Sequence, residues 1–156
     1  MRELLEKHRA SGSTTPLIGG HRGCQCQWNE NSIEAMAEGI RRGADYLEID
    51  VQLTKDNVPI IFHDIEVTDK TGLYGYVHDH TCREMKEAYG CPTLMEAMEW
   101  GKQNKAYFAL ELKSCGCINA EDNLRLVPIL DDVVRQYDMY SQVEAFSVDW
   151  RALKKL

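Results

Sequence analysis

Three carboxylates stand on segments that otherwise read as buried strands. Glu48 and Asp50 interrupt the alternating run ADYLEIDVQL at 44–53, and Glu111 sits between Leu110 and Leu112 in YFALELK at 107–113. Residues two apart on a strand project from one face, so Glu48 and Asp50 are neighbours in space. Like charges at that spacing repel unless a cation neutralises them. Three strand-borne carboxylates offer an oxygen-rich site for a hard divalent cation such as Mg²⁺ or Ca²⁺. The competing reading is the solvated face of an edge strand. His21 follows the run PLIGG and His63 follows VPIIF. Both stand where a strand feeds a loop, the end at which parallel α/β sheets place their sites. A pair of imidazoles there suits proton transfer near neutral pH. Arg22 and Lys113 add fixed positive charge beside the same strand ends. This set suits a phosphodiester better than a carbonyl substrate. Metal and cations stabilise charge growing on phosphoryl oxygens while the imidazoles move protons.

The elements that must position these groups alternate along the chain. Residues 2–10 read as a polar helix and 16–20 as a short strand. From Ser32 to Arg42 the apolar residues Ile33, Met36, Ala37 and Ile40 fall at helical spacing, with Asn31 and Glu34 as a capping-box-like start and Gly43 as the stop. In 44–53, Leu47, Ile49, Val51 and Leu53 form one face, and Tyr46, Glu48, Asp50 and Gln52 the other. Residues 58–62, 107–113 and 143–147 read as further strands. Helical patterns cover Cys82 to Ala88, the segment opened by Thr93-x-x-Glu96, and 122–137, which contains Pro128. The order predicts an α/β fold with a mostly parallel sheet of five strands. His21 and Arg22 are adjacent, so a regular strand would point them oppositely. If both face one site, the backbone leaves the strand there, as Gly19, Gly20 and Gly23 permit.

Composition narrows the function classes. The chain has 156 residues, 44% hydrophobic and 28% charged, with 25 Asp+Glu against 18 Lys+Arg. A net charge of −7 leaves no basic stripe for a duplex, so nucleic acid is not expected as a partner. No apolar run approaches the roughly 20 residues of a membrane span, and MRELLEKHRASGSTT lacks a signal-peptide core. The expected location is cytoplasmic. Six cysteines are then reduced by default. Two C-x-C pairs, Cys24/Cys26 and Cys115/Cys117, hint at soft-metal chemistry, but their spacing is tighter than that of zinc sites.

Ordered motifs add a family resemblance. HRG at 21–23, Glu30-Asn31-Ser32, GADYLEIDVQLTKDNVPIIFHD at 43–64, PTL at 92–94 and LELK at 110–113 run from about Leu17 to Phe146. Together the chain resembles the glycerophosphodiester phosphodiesterase family. The resemblance implies a (β/α)₈ TIM-barrel type fold and metal-dependent hydrolysis of glycerophosphodiesters to an alcohol and glycerol 3-phosphate. It implies His21 and His63 as the acid/base pair, and Glu48, Asp50 and Glu111 as ligands of a divalent cation. Arg22 and Lys113 would contact the phosphate. Glu30 takes a metal-binding or supporting role and Asn31 mainly that of a helix cap. His78 and His80 match no motif position and read as solvent-facing. A closed barrel takes about 250 residues, so 1–156 reads as a single domain holding a partial barrel, C-terminally incomplete relative to the family. Unpaired strand edges in a partial barrel make a homo-oligomer the expected state. The alternatives are a phospholipase D-like lipid phosphodiesterase on the same fold, an inactive scaffold that keeps the metal site, and a thiolate metal protein.

Overall fold

The computed structural model describes residues 1–156. Helix α1 (Arg2–Ala10) precedes β1 (Gly19–His21), α2 (Ile33–Arg41), β2 (Tyr46–Leu53) and β3 (Pro59–Ile61). A short helix α3 (Thr68–Thr71), a 3₁₀ turn (Val77–Asp79), α4 (Cys82–Tyr89) and α5 (Leu94–Asn104) follow. The chain continues through β4 (Phe108–Leu112), α6 (Ala120–Gln136), β5 (Val143–Phe146) and α7 (Trp150–Lys155). No helix is long and apolar enough to cross a membrane.

Strands β1, β2, β4 and β5 lie side by side in that order and run parallel. The antiparallel member is β3, which folds back on β2 and pairs Ile61 with Val51 and Pro59 with Leu53. The reason is connection length. Five residues separate β2 from β3, and a parallel crossover needs a dozen or more. Asn57, at φ 60°, makes the turn, and the Thr54 hydroxyl accepts the Val58 amide at 3.0 Å. Asn tolerates that left-handed backbone better than most residues.

Because β2 is central, both of its faces are covered. Leu47, Ile49, Val51 and Leu53 are at most 3% exposed and join Met36, Leu94, Met98, Phe108, Leu110, Leu112, Leu126 and Leu130 in the main core. On the other face Asp50 is 1% and Gln52 3% exposed, so the solvated edge-strand reading does not hold. A second, smaller core gathers Ile60, Phe62, Val67, Val77, Met85 and Cys91.

Helix starts follow side-chain chemistry, with one correction. The Thr93 hydroxyl accepts the Glu96 amide while the Glu96 carboxylate accepts the Thr93 amide, a reciprocal box at the start of α5. At α2 the cap is Ser32, whose hydroxyl accepts the Ala35 amide at 3.1 Å. Asn31 is not a cap; it is buried and turned elsewhere. Pro128 sits inside α6. Its missing N–H leaves the Leu124 carbonyl without the usual donor, and Lys155 Nζ donates to it at 2.7 Å.

Candidate active site

The parallel register sets the depth of each functional group. His21 pairs with Glu48 across β1 and β2, and Asp50 pairs with Glu111 across β2 and β4. The carboxylate oxygens of Glu48, Asp50 and Glu111 all lie within 4.8 Å of one another. Burial, reinforced by the charges of Asp50 and Glu111, pushes the Glu48 carboxyl up to about 7. Such crowding is what a divalent cation relieves. Asp50 Oδ1 is buried and accepts no hydrogen bond, leaving a lone pair for a metal ion. The donor set and the orphan oxygen fit a hard cation.

The other Asp50 oxygen is held firmly. Asn31, 1% exposed, donates Nδ2 to Asp50 Oδ2 at 2.8 Å and accepts the Asp50 amide on Oδ1 at 3.3 Å. This reach requires φ 61° at Asn31. Sequence reading gave Asn31 to the helix because Asn and Ser are equally common caps, and the adjacent pair Asn31-Ser32 hides which one is buried.

His21 and Arg22 share the site through a backbone departure. Arg22 has φ 55° and Gly23 φ 83°, so the chain leaves β1 directly after His21. His21 Nε2 lies 3.8 Å from Glu48 Oε2, with its ring largely exposed. The Arg22 guanidinium donates to Glu30 Oε2 at 3.1 Å, and its Nε lies 3.4 Å from Asp50 Oδ2. Lys113 Nζ lies 3.1 Å from Glu111 Oε1 and 3.5 Å from Asp50 Oδ1. Both cations therefore flank the carboxylate cluster.

His63 arrives by the β3 return rather than at the end of a parallel strand. The Phe62 amide donates to the Asp50 carbonyl at 3.0 Å, which brings the next residue to the level of the carboxylates. His63 Nδ1 lies 2.6 Å from Asp64 Oδ1. Asp64 Oδ2 is 2.9 Å from Lys70 Nζ, and Lys70 also contacts Glu30. Burial alone would raise the Asp64 carboxyl; hydrogen bonds from His63 and Lys70 outweigh it and hold it below its ordinary range. The same balance of burial against Lys70 and Arg22 keeps Glu30 low. A chain of opposite charges thus links Arg22, Glu30, Lys70 and Asp64, and Asp64 in turn hydrogen-bonds His63. His63, Asp64, Asp69, Lys113 and Ser114 line an open cleft of about 420 Å³.

Two positioning residues escaped sequence reading. Asp64 was visible as the neighbour of His63 but carried no separate signal. Gln52 completes the Glu48–Asp50 face and donates Nε2 to the carbonyls of Phe62, His63 and Asp64 at 2.8, 3.1 and 2.9 Å. The buried amide pins the segment that presents His63. Gln52→Met, of similar length, is expected to lower stability by about 1–3 kcal/mol, because it strands buried carbonyls. Urea denaturation checks this, and an unchanged midpoint would show those carbonyls satisfied by water. His78 departs from expectation: it is half-buried and pairs its Nδ1 with Asp122 Oδ2 at 2.7 Å. His80 Nε2 lies 2.8 Å from the Tyr74 carbonyl oxygen.

Known proteins share this architecture. The family profile described as "Glycerophosphoryl diester phosphodiesterase family" matches residues 21–151. A glycerophosphodiester phosphodiesterase of Bacillus altitudinis is 29% identical over 149 residues, covering 87% of this chain and 56% of that protein. One from Caldanaerobacter subterraneus subsp. tengcongensis is 34% identical over 110 residues, or 63% of this chain and 45% of the relative. Among solved structures, an Oleispira antarctica phosphodiesterase in complex with the product sn-glycerol-3-phosphate superimposes with a TM-score of 0.75 at 27% identity. That match covers 90% of this chain and 60% of the other. The Thermotoga maritima glycerophosphodiester phosphodiesterase gives 0.70 at 27%, covering 90% and 58%. The chain spans about half the length of the curated relatives it matches.

Proposed function

Because the chain belongs to the glycerophosphoryl diester phosphodiesterase family and has the strand and helix order of part of a (β/α)₈ barrel, we propose that it binds a glycerophosphodiester and takes part in its metal-dependent hydrolysis to an alcohol and glycerol 3-phosphate. The observation that carries this reading is the convergence of Glu48, Asp50 and Glu111, with Asp50 Oδ1 buried and accepting no hydrogen bond. The glycerol 3-phosphate held by the Oleispira antarctica relative supports the substrate class.

Glu48, Asp50 and Glu111 would hold a divalent cation, Mg²⁺ or Ca²⁺, which supplies charge neutralisation beside the phosphoryl group. Arg22 and Lys113 now balance the carboxylates. With that charge balanced by an ion, the two cations are free to clamp non-bridging phosphate oxygens, Arg22 through its planar fork and Lys113 as a point charge. His63, with Nδ1 held by Asp64, keeps Nε2 for proton transfer. His21 stands beside Glu48, its Nε2 3.8 Å from Oε2. One imidazole takes a proton from the attacking oxygen, of water or of a glycerol hydroxyl, and the other gives one to the leaving alkoxide.

The decisive assay uses glycerophosphocholine and glycerophosphoethanolamine with Mg²⁺, Ca²⁺ or Mn²⁺, and with chelator. Release of glycerol 3-phosphate that chelator abolishes is the expected result. No release with any ion, from protein shown to be folded, overturns the reading.

Ion binding has its own readout. A cation at a hundred times its Kd is expected to stabilise the fold by about 2.7 kcal/mol. Asp50→Asn should remove that gain in a thermal shift measurement. A shift equal in Asp50→Asn and the parent chain would place the ion elsewhere.

A further inference from the structure

We propose that Cys24 and Cys26 form a thiol–disulfide exchange site, which a small-molecule disulfide converts into a closed ring within the loop between Arg22 and Asn31. Their sulfur atoms are 3.3 Å apart, the Cys24 thiol directed at Cys26. A disulfide bond is about 2.05 Å long, so closure requires an approach of only about 1.3 Å. Cys26 is exposed and Cys24 partly so, which gives an incoming disulfide access to both.

The chemistry of the pair divides the roles. Hydrogen-bonding contact with the Cys26 backbone and thiol lowers the Cys24 thiol against the opposing effect of burial, and the Arg42 guanidinium adds to this. The same contact raises Cys26. In the proposed exchange Cys24 is the attacking thiolate and Cys26 the resolving thiol, the arrangement of a redox-sensitive pair. The Cys24 thiolate attacks a disulfide RSSR, forming Cys24–S–SR and releasing RS⁻. The Cys26 thiol then gives up its proton to solvent and attacks Cys24 sulfur, expelling a second RS⁻. In sum two protein thiols are oxidised to one disulfide and RSSR is reduced to two RSH.

The loop suits closure because its frame is fixed outside the pair. The Cys24 amide donates to the Ala35 carbonyl at 2.8 Å, and the Asn31 amide donates to the Arg22 carbonyl at 2.9 Å. The ends are held while residues 25–27 form a turn. The other C-x-C pair differs. The Cys115 amide is bound by the Asn119 side chain and its carbonyl accepts from Ile118 and Asn119, but no sulfur contact joins Cys115 to Cys117.

The test titrates the 156-residue chain with oxidised glutathione, traps free thiols by alkylation and maps the peptides by mass. The expected result is loss of alkylation at Cys24 and Cys26 together, with the mass of a ring and no glutathione attached, while Cys115 and Cys117 do not pair with one another. Cys26→Ser should convert Cys24 to a stable glutathione adduct. Stable adducts on both residues in the parent chain overturn the proposal. So do free thiols at both when Cys117 is already modified, or a bridge from either to Cys115 or Cys117. The outcome is independent of the phosphodiesterase reading, since no step uses the carboxylates or imidazoles.

Discussion

His63→Ala is expected to lower kcat on a glycerophosphodiester by about 10²–10⁴-fold, the range that a positioned acid or base contributes. The size follows from how the ring is held. Asp64 fixes Nδ1 at 2.6 Å, and Lys70 fixes Asp64, so the imidazole presents one nitrogen in one orientation. Removing it takes away proton transfer without touching the three carboxylates. Stabilisation by Mg²⁺ or Ca²⁺ should therefore survive in His63→Ala while turnover falls. Asp64→Asn keeps the ring but loosens its orientation, and should fall between the parent and His63→Ala. His21→Ala is expected to match the loss at His63 if the two share the work. Steady-state kinetics with a thermal shift on each variant checks all three. Undiminished kcat in His63→Ala would remove that residue from the chemistry.

Gly23→Ala is expected to lower the stability of the fold by about 3 kcal/mol or more. Gly23 has φ 83°, where a side chain is strained in any surroundings. Here the space is also filled. A Cβ would meet the Ala35 carbonyl carbon at 2.5 Å, its oxygen at 2.6 Å and the Met36 amide at 2.8 Å, all backbone of α2. Relief requires moving α2 away from the loop, which breaks the Cys24–Ala35 hydrogen bond and displaces Arg22. Gly43→Ala is the matched control: φ is 95°, yet nothing lies within 4 Å of its would-be Cβ. Its cost should be only the conformational strain, about 1–2 kcal/mol. Guanidinium denaturation of the two variants separates contact from conformation. Equal midpoints would show that α2 yields easily.

The carboxylate cluster was legible because strands are periodic. Glu48 and Asp50 share a face by parity alone, and the absence of an apolar residue at those positions demanded a reason. Glu111 needed the parallel register to bring it opposite Asp50, and the α/β order supplied it. The departure of the backbone at Arg22 was also foreseeable, from the glycines around two residues that had to face one way. The β3 return was less so, because VPIIF looks the same in either direction and only the short connection decides it. The positioning roles of Asp64 and Gln52 were missed, and that of Asn31 was taken for a helix cap, for a shared reason. Each acts through hydrogen bonds to partners 10 to 19 residues away or to an adjacent side chain, and no periodic pattern marks such bonds. Lys70 is harder still: it lies 40 residues from Glu30 along the chain, in a stretch of polar residues with no apolar rhythm.

The doubling back of β3 has an effect beyond placing one ring. Ile60 and Phe62 pack with Val67, Val77, Met85 and Cys91, while Ile61 between them faces the main core. His63, the proposed proton-transfer group, thus follows a segment that straddles a small annex and the principal core in which the strand of Glu48 and Asp50 is rooted. Substitutions in the annex such as Val67→Ala or Met85→Leu are therefore expected to disturb His63 more than the carboxylate strands, so that turnover and ion-induced stabilisation would shift to different extents.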